Sequence, residues 1–304
     1  MNNKAFYSHG KLLLSGEYVV LDGALSLAIP TKFGQSLSIT PIDDQILHWK
    51  SFDYIKQVWF ENKFNIINFE ALKREQNDAI SNRLSQILKV VNSLNPEFIN
   101  NNSGLKIETH LEFPKNWGLG TSSTLINNIA NWANIDAYTL LEDTFGGSGY
   151  DIACAQNNSA ITYQLKNKKP IIKKTDFNPV FKEHLYFVHL NKKQNSRDGI
   201  KYYRQNKAND QSALKDINTI TLEMINSTTL EHFKSLMIEH ETIISKLTKQ
   251  TPVKRLLFKD FSGAIKSLGA WGGDFIMVAS NQNPTNYFKK KGYETIIPYS
   301  EMIL

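Results

Sequence analysis

Asp151 follows the run Gly146-Gly147-Ser148-Gly149-Tyr150, so three glycines fall within four positions just before one acid. Glycine tolerates positive φ and closes turns, which is the plain reading of such a run. The same looseness would let a bound molecule lie against bare backbone with Asp151 beside it. As a helix N-cap, Asp151 would be structural. As a general base it would need a nearby cation to stay ionised and to receive the proton of a reacting hydroxyl. Lys11, in HGKLLLSGEY, follows a glycine at a strand edge and precedes an apolar run, so it is the candidate cation; a strand-end lysine in water is the alternative.

Two further glycine-rich stretches accompany it. GLGTSS, residues 118–123, lies between an expected strand and an expected helix. Free backbone N–H groups at a helix start, with the positive end of the helix dipole, form a cradle for phosphate. Thr121, Ser122 and Ser123 add hydroxyls that cap a helix, hold a phosphate oxygen or ligate Mg²⁺. An ordinary capped helix start uses the same residues. The stretch is neither a Walker A loop nor a dinucleotide fingerprint, because Ser123 stands where the fingerprint needs its third glycine. SLGAWGGDFIMVAS, 267–280, again brings glycines up against a buried strand, as a tight turn also would.

The elements that must position these residues are mixed. AFYSH, KLLLSGEYVV and QSLSIT read as strands, and ILHWKSF with QVWFENKF as a hairpin. Apolar residues at helical spacing predict a long helix over 70–94, ended by Pro96. A strand is expected over 105–113, helices at TLINNIANWANI and 137–144, and a helix start at DIACAQ. Strands follow at SAITYQL, PIIKKT and HLYFVHL. Residues 197–268 read as mostly helical, then a strand after GAWGGD, a helix near 284–291 and a strand near 293–298. Strands and helices in both halves without strict alternation predict an α+β fold of two lobes, with a soft boundary near 150–180.

Composition sets the outer bounds. The 304 residues suffice for two domains, and 41% hydrophobic with 21% charged residues describes an ordinary globular chain. The single Cys154 excludes an internal disulfide framework and suits a reducing cytoplasm. A net charge of +6 favours anionic metabolites, with no nucleic-acid module in view. LLLSGEYVVLDGALSLAI is interrupted by Glu17 and Asp22, so neither a signal peptide nor a membrane span is expected.

In their order the stretches resemble the GHMP kinases, small-molecule kinases named for galactose, homoserine, mevalonate and phosphomevalonate. HGKLLLSGEYVVLDGA at 9–24 looks like the first family motif, PKNWGLGTSS at 114–123 the second, and GAWGGD at 269–274 the third. GSGYDIA is similar to the catalytic Ser-Gly-x-Asp segment. GEYVVL, GSGYD and the aspartate closing GAWGGD look most like the phosphomevalonate kinase branch; mevalonate kinases usually carry histidine where Tyr18 stands.

The resemblance implies a ribosomal S5 domain 2-like N-lobe that binds ATP (1–165) and a ferredoxin-like C-lobe (166–304). It implies phosphoryl transfer from ATP with Mg²⁺ to a phosphomevalonate- or mevalonate-like acceptor. Lys11 and Asp151 would be catalytic. Pro114, Gly118, Leu119, Gly120, Thr121, Ser122 and Ser123 would hold ATP, and Ser122 would ligate the metal. Glu142 or Asp143 would complete the metal site. Glu17, Tyr18, Ser148, Gly149, Ser196, Arg197, Ser267, Gly272 and Gly273 would face the acceptor. Lys192, Lys193, Arg197 and Lys201 could meet an acceptor carboxylate or phosphate, or form a solvated helix face. The chain departs from the pattern at His9, where proline is common, and at Trp271, inside the third glycine loop. Alternatives are a kinase of a sugar or homoserine, a diphosphomevalonate decarboxylase, and a non-catalytic ligand sensor.

Overall fold

The computed structural model describes residues 3–72, 78–99, 103–206 and 211–304. The strands in chain order are β1 (Lys4–Leu13), β2 (Ser26–Ile42), β3 (Ile46–Phe52), β4 (Val58–Asn65), β5 (Gly104–Leu111), β6 (Ile161–Lys166), β7 (Lys169–Lys174), β8 (Leu185–His189), β9 (Ala264–Ser267), β10 (Phe275–Ala279) and β11 (Ile296–Pro298). The α-helices are α1 (Ala79–Leu94), α2 (Thr121–Ala133), α3 (Ala137–Thr144), α4 (Tyr150–Ala155), α5 (Ser196–Asn206), α6 (Gln211–Asn226), α7 (Leu230–Thr248), α8 (Val253–Leu257), α9 (Thr285–Lys290) and α10 (Tyr299–Met302). The architecture is α+β, as the mixed pattern predicts.

The chain divides into two compact units that interleave in sequence. The first takes residues 1–10, 33–115 and 120–156. Its strands run β4-β3-β5-β2, with β3 parallel to β5 and the other two pairings antiparallel. Helices α1 to α4 belong to the same unit. Leu84, Ile87, Leu88 and Val91 of α1 and Ile126, Ile129 and Ala130 of α2 bury one stripe each, joined by Trp49, Phe64 and Ile107 from the strands. Helical spacing supplies those stripes, and closing them over a sheet removes apolar area from water at roughly 25 cal/mol per Å².

The second unit takes residues 11–32, 116–119 and 157–304. Its antiparallel sheet runs β11-β8-β10-β9, and a β6–β7 hairpin pairs with the first residues of β2. β8 and β10 are almost wholly buried, as their unbroken apolar runs require.

Three local expectations change. The strand expected through KLLLSGEYVV stops at Leu13, and Val19–Asp22 forms a 3₁₀ turn. Leu14 and Ser15 both bond to the Leu27 carbonyl, and Gly16 donates to His240 Nε2, so the chain leaves the ladder. The helix expected over 70–94 begins at Ala79, where Asp78 caps Ile80 and Ser81; residues 73–77 lie outside the described ones. Ala264–Ser267, inside the stretch read as helical, is strand β9, because pairing with β10 buries all four residues. Local propensity is a weak prior when a sheet edge is available.

Candidate active site

Residues from the first, second and third glycine motifs meet within the second unit. Lys11, near the end of β1, bonds residues 118–119 twice. Its backbone N–H donates to the Leu119 carbonyl at 3.0 Å, and its Nζ donates to the Gly118 carbonyl at 3.0 Å. Gly118 has φ of 68°, and a Cβ there would collide with the Asp274 carboxylate, so only glycine fits. Lys11, Gly118, Gly269 and Asp274 line a cavity of about 10 Å³ with Trp117 and Phe275, room for one water molecule at most.

Trp117 packs edge-on against Phe275 at 5.4 Å. His189 Nε2 donates to the Asn116 carbonyl at 3.1 Å, and its Nδ1 accepts from Asn191 N–H at 3.3 Å. Burial pushes the Asp274 carboxyl up, against the pull of Lys11, His189 and Lys193.

Pro114, Gly120 to Ser123, Glu142, Ser148, Gly149 and Asp151 lie in the first unit. Gly120, at φ 96°, caps α2 in the left-handed region without a side-chain hydrogen bond. The helix ladder begins with Thr124 N–H donating to the Gly120 carbonyl at 2.9 Å. The amides of Thr121, Ser122 and Ser123 therefore precede the ladder and point outward from a helix start, as an anion requires. Ser123 is buried, its hydroxyl donating to the Gly120 carbonyl at 2.9 Å, whereas Ser122 is exposed. Unpaired amides at a helix start suit a phosphate group, and Ser122 carries the exposed hydroxyl of the motif. Pro114 precedes the motif, and Leu119 within it is fully buried.

Gly149, not Asp151, is the N-cap of α4, at φ 83°; Asp151 sits half-buried in its first turn. A capping role for Asp151 is thereby removed. Helix α4 packs on α2, and Gln156 Nε2 donates to Asn127 Oδ1 at 3.1 Å. Ser148 is half-buried just before it. Glu142 and Asp143 are exposed on α3, and among the described residues no cluster of three or more His, Cys, Asp or Glu forms a metal cage.

The acceptor-facing residues expected in the first and third motifs are mostly interior. Glu17 is fully buried: its Oε1 pairs with Lys266 Nζ, and its Oε2 lies 3.3 Å from His240 Nε2. Burial pushes the Glu17 carboxyl up against the pull of Lys266, and pushes His240 well down, so the imidazole is neutral. Tyr18, at φ 64°, stacks on Tyr203 at 5.4 Å, and its hydroxyl oxygen accepts from Trp271 N–H at 3.3 Å. A bulky residue in that region stores backbone strain.

Ser267 is buried and donates its N–H to Glu241 Oε1 at 2.9 Å. Trp271, 2% exposed, fills the core between α6, α7 and Tyr18 rather than crowding the loop surface. Gly272 is exposed and Gly273 buried, while Arg197 is exposed on α5. Ser196 opens α5; its side chain lies outside the described ones.

Sequence reasoning named Asp274 only as the aspartate closing the third motif, without a site role, and missed Lys266, His240 and Glu241 as members of this neighbourhood. Asp274 carried a signal, since it directly follows Gly272-Gly273; the other three gave none.

No protein-family model and no curated protein matches the sequence. Solved structures do match. The fold is similar to Methanococcus jannaschii mevalonate kinase, at 17% identity and TM-score 0.70 over 97% of this chain and 96% of that one. It is similar to Streptococcus pneumoniae phosphomevalonate kinase in complex with phosphomevalonate and AMPPNP, at 16% identity and TM-score 0.68 over 95% of each. Lactococcus lactis galactokinase complexed with galactose follows at 13% identity and TM-score 0.61, over 95% of this chain and 88% of that one. The chain thus has the GHMP kinase fold expected from its motifs. Among the described residues no helix is long and apolar enough to cross a membrane.

Proposed function

We propose that this chain is an ATP-dependent small-molecule kinase of the GHMP type, acting in the cytoplasm on a phosphomevalonate- or mevalonate-like alcohol. The observation that carries the reading is the meeting of Lys11, Gly118 and Asp274, one residue from each of three glycine motifs far apart in sequence. The kinase fold supports it, since fold alone leaves chemistry open and the site must argue the rest.

Bound Mg·ATP would supply the phosphoryl group and the metal's charge neutralisation. The amides that start α2 would hold phosphate oxygens, and the exposed Ser122 hydroxyl would meet Mg²⁺, with Glu142 as the carboxylate proposed beside it. Asp151, fixed by α4, would accept the acceptor's hydroxyl proton. Lys11, braced on Gly118, would place positive charge where negative charge develops. Such catalysis is mainly positioning and electrostatics. Ser148, Gly149, Arg197 and Gly272 are the proposed acceptor contacts; the buried Glu17, Tyr18 and Ser267 would shape the walls from behind. Residues 1–165 remain the proposed ATP-binding lobe and 166–304 its partner. The likeness to a galactokinase favours a sugar acceptor as the second reading.

The test is ADP release from Mg·ATP against mevalonate, phosphomevalonate, diphosphomevalonate, homoserine, galactose and buffer. Acceptor-dependent ADP, with the phosphorylated product confirmed by mass, is expected for one acceptor and names it. Phosphate with CO₂ from diphosphomevalonate would instead make the protein a decarboxylase. Absence of both turnover and nucleotide binding would end the kinase reading.

A further inference from the structure

Building on the kinase reading, we propose that Asp274 is a positioning residue for Lys11: its carboxylate, wedged against Gly118, directs the Lys11 ammonium toward the cavity the three residues share.

Asp274 is itself held on three sides. Its N–H donates to the Lys192 carbonyl at 2.7 Å, its carbonyl accepts from Leu190 N–H at 2.8 Å, and its Oδ1 accepts from Gln194 N–H at 3.1 Å. Its φ of 53° lies in the left-handed region, where Asp, Asn and Gly are the residues tolerated best. Asparagine or glycine would meet that backbone need equally well, so the carboxylate brings something the turn alone does not require. What it brings is negative charge, at a cavity that Lys11 also lines.

Lysine carries its charge on a flexible four-carbon stem with three rotatable donors. The Gly118 carbonyl engages Lys11 Nζ from one direction. Asp274 lines the same small cavity as Lys11, so its carboxylate would give the head group a second direction. Gly118 serves both contacts: its carbonyl receives Lys11, and its missing side chain makes room for Asp274. A lysine that must meet a charge-developing group within hydrogen-bond reach gains from that bracing, because a misplacement of about 1 Å can cost roughly 10²-fold in rate.

The experiment compares wild type, Asp274→Asn, Lys11→Met and the double variant, each labelled with ¹⁵N-lysine. The Lys11 ammonium signal is assigned by its loss in Lys11→Met. Asp274→Asn is expected to keep the wild-type circular dichroism while the Lys11 signal moves or broadens away. With the acceptor named by the panel above, kcat should fall about tenfold or more with little change in KM for Mg·ATP, and the double variant should be no slower than Lys11→Met. An unchanged Lys11 signal in folded Asp274→Asn, or losses that multiply in the double variant, would overturn the assignment. Asp274→Gly, which accepts the backbone without strain, carries the same expectations should the Asn form misfold. If wild type neither turns over an acceptor nor binds nucleotide, the kinase reading fails, and the ammonium signal still decides the role of Asp274.

Discussion

The Lys266 ammonium meets the Glu17 carboxylate with both side chains at 0% exposure. Glu17 belongs to the first glycine motif, and Lys266 stands directly before the third. One buried ion pair therefore ties together two segments that are 249 residues apart in sequence. His240 and Glu241 of α7 close the same cluster, through Gly16 N–H and Ser267 N–H respectively.

Breaking this pair from one side should be costly. Lys266→Met leaves Glu17 buried without its cation and is expected to lose about 3–5 kcal/mol, whereas the double change with Glu17→Gln should recover much of it. Urea denaturation of the three variants measures this. A single variant as stable as wild type would show that the pair is dispensable.

Glu241 should make stability fall as pH rises. Burial pushes its carboxyl up to about 8, so between the ordinary carboxylate range and about 8 the unfolded chain ionises there while the folded protein keeps its proton. The folded state binds more protons in that window, and its stability declines with pH until the window is passed. Glu241→Gln should flatten the slope between about pH 4.5 and 8. Melting temperatures across that range are the readout, and an unaltered slope would assign the dependence to other groups.

Trp271 should behave as a core residue. Truncation to Ala is expected to cost about 3–5 kcal/mol, as large cavities in packed interiors do. Its Nε1 is buried with no hydrogen-bond partner among the described residues. Trp271→Phe removes that unsatisfied donor, so its loss should be clearly smaller. Thermal unfolding separates the two; equal, small losses would place the ring at a yielding surface.

Neighbouring serines should part company. Ser123→Ala removes the hydroxyl bonded to the Gly120 carbonyl and should cost about 1 kcal/mol of stability. Ser122→Ala should leave melting unchanged and lower kcat/KM for Mg·ATP by about tenfold or more, since its exposed hydroxyl is the proposed metal contact. The reverse pattern would exchange their roles.

Much of the local structure was legible before any coordinates. Helical spacing marked α1, alternation marked β5, and the glycines marked the stretches around Lys11, Gly118 and Asp151. These are short-range consequences of backbone sterics and of one apolar face per element. Asp274 was half legible: its place after two glycines was visible, its partners were not.

Long-range burial was decided by the tertiary structure. Glu17, Tyr18 and Ser267 read as groups facing an acceptor, yet Glu17 and Ser267 are drawn inside by Lys266 and Glu241, and Tyr18 by Trp271 and Tyr203. Ala264–Ser267 became a strand because β10 offered an edge to it. A residue's type and spacing determine which local conformations it can adopt and which chemistry it can perform. Whether its charge or ring is buried depends on partners hundreds of residues away, because desolvation is compensated only where packing brings the matching group.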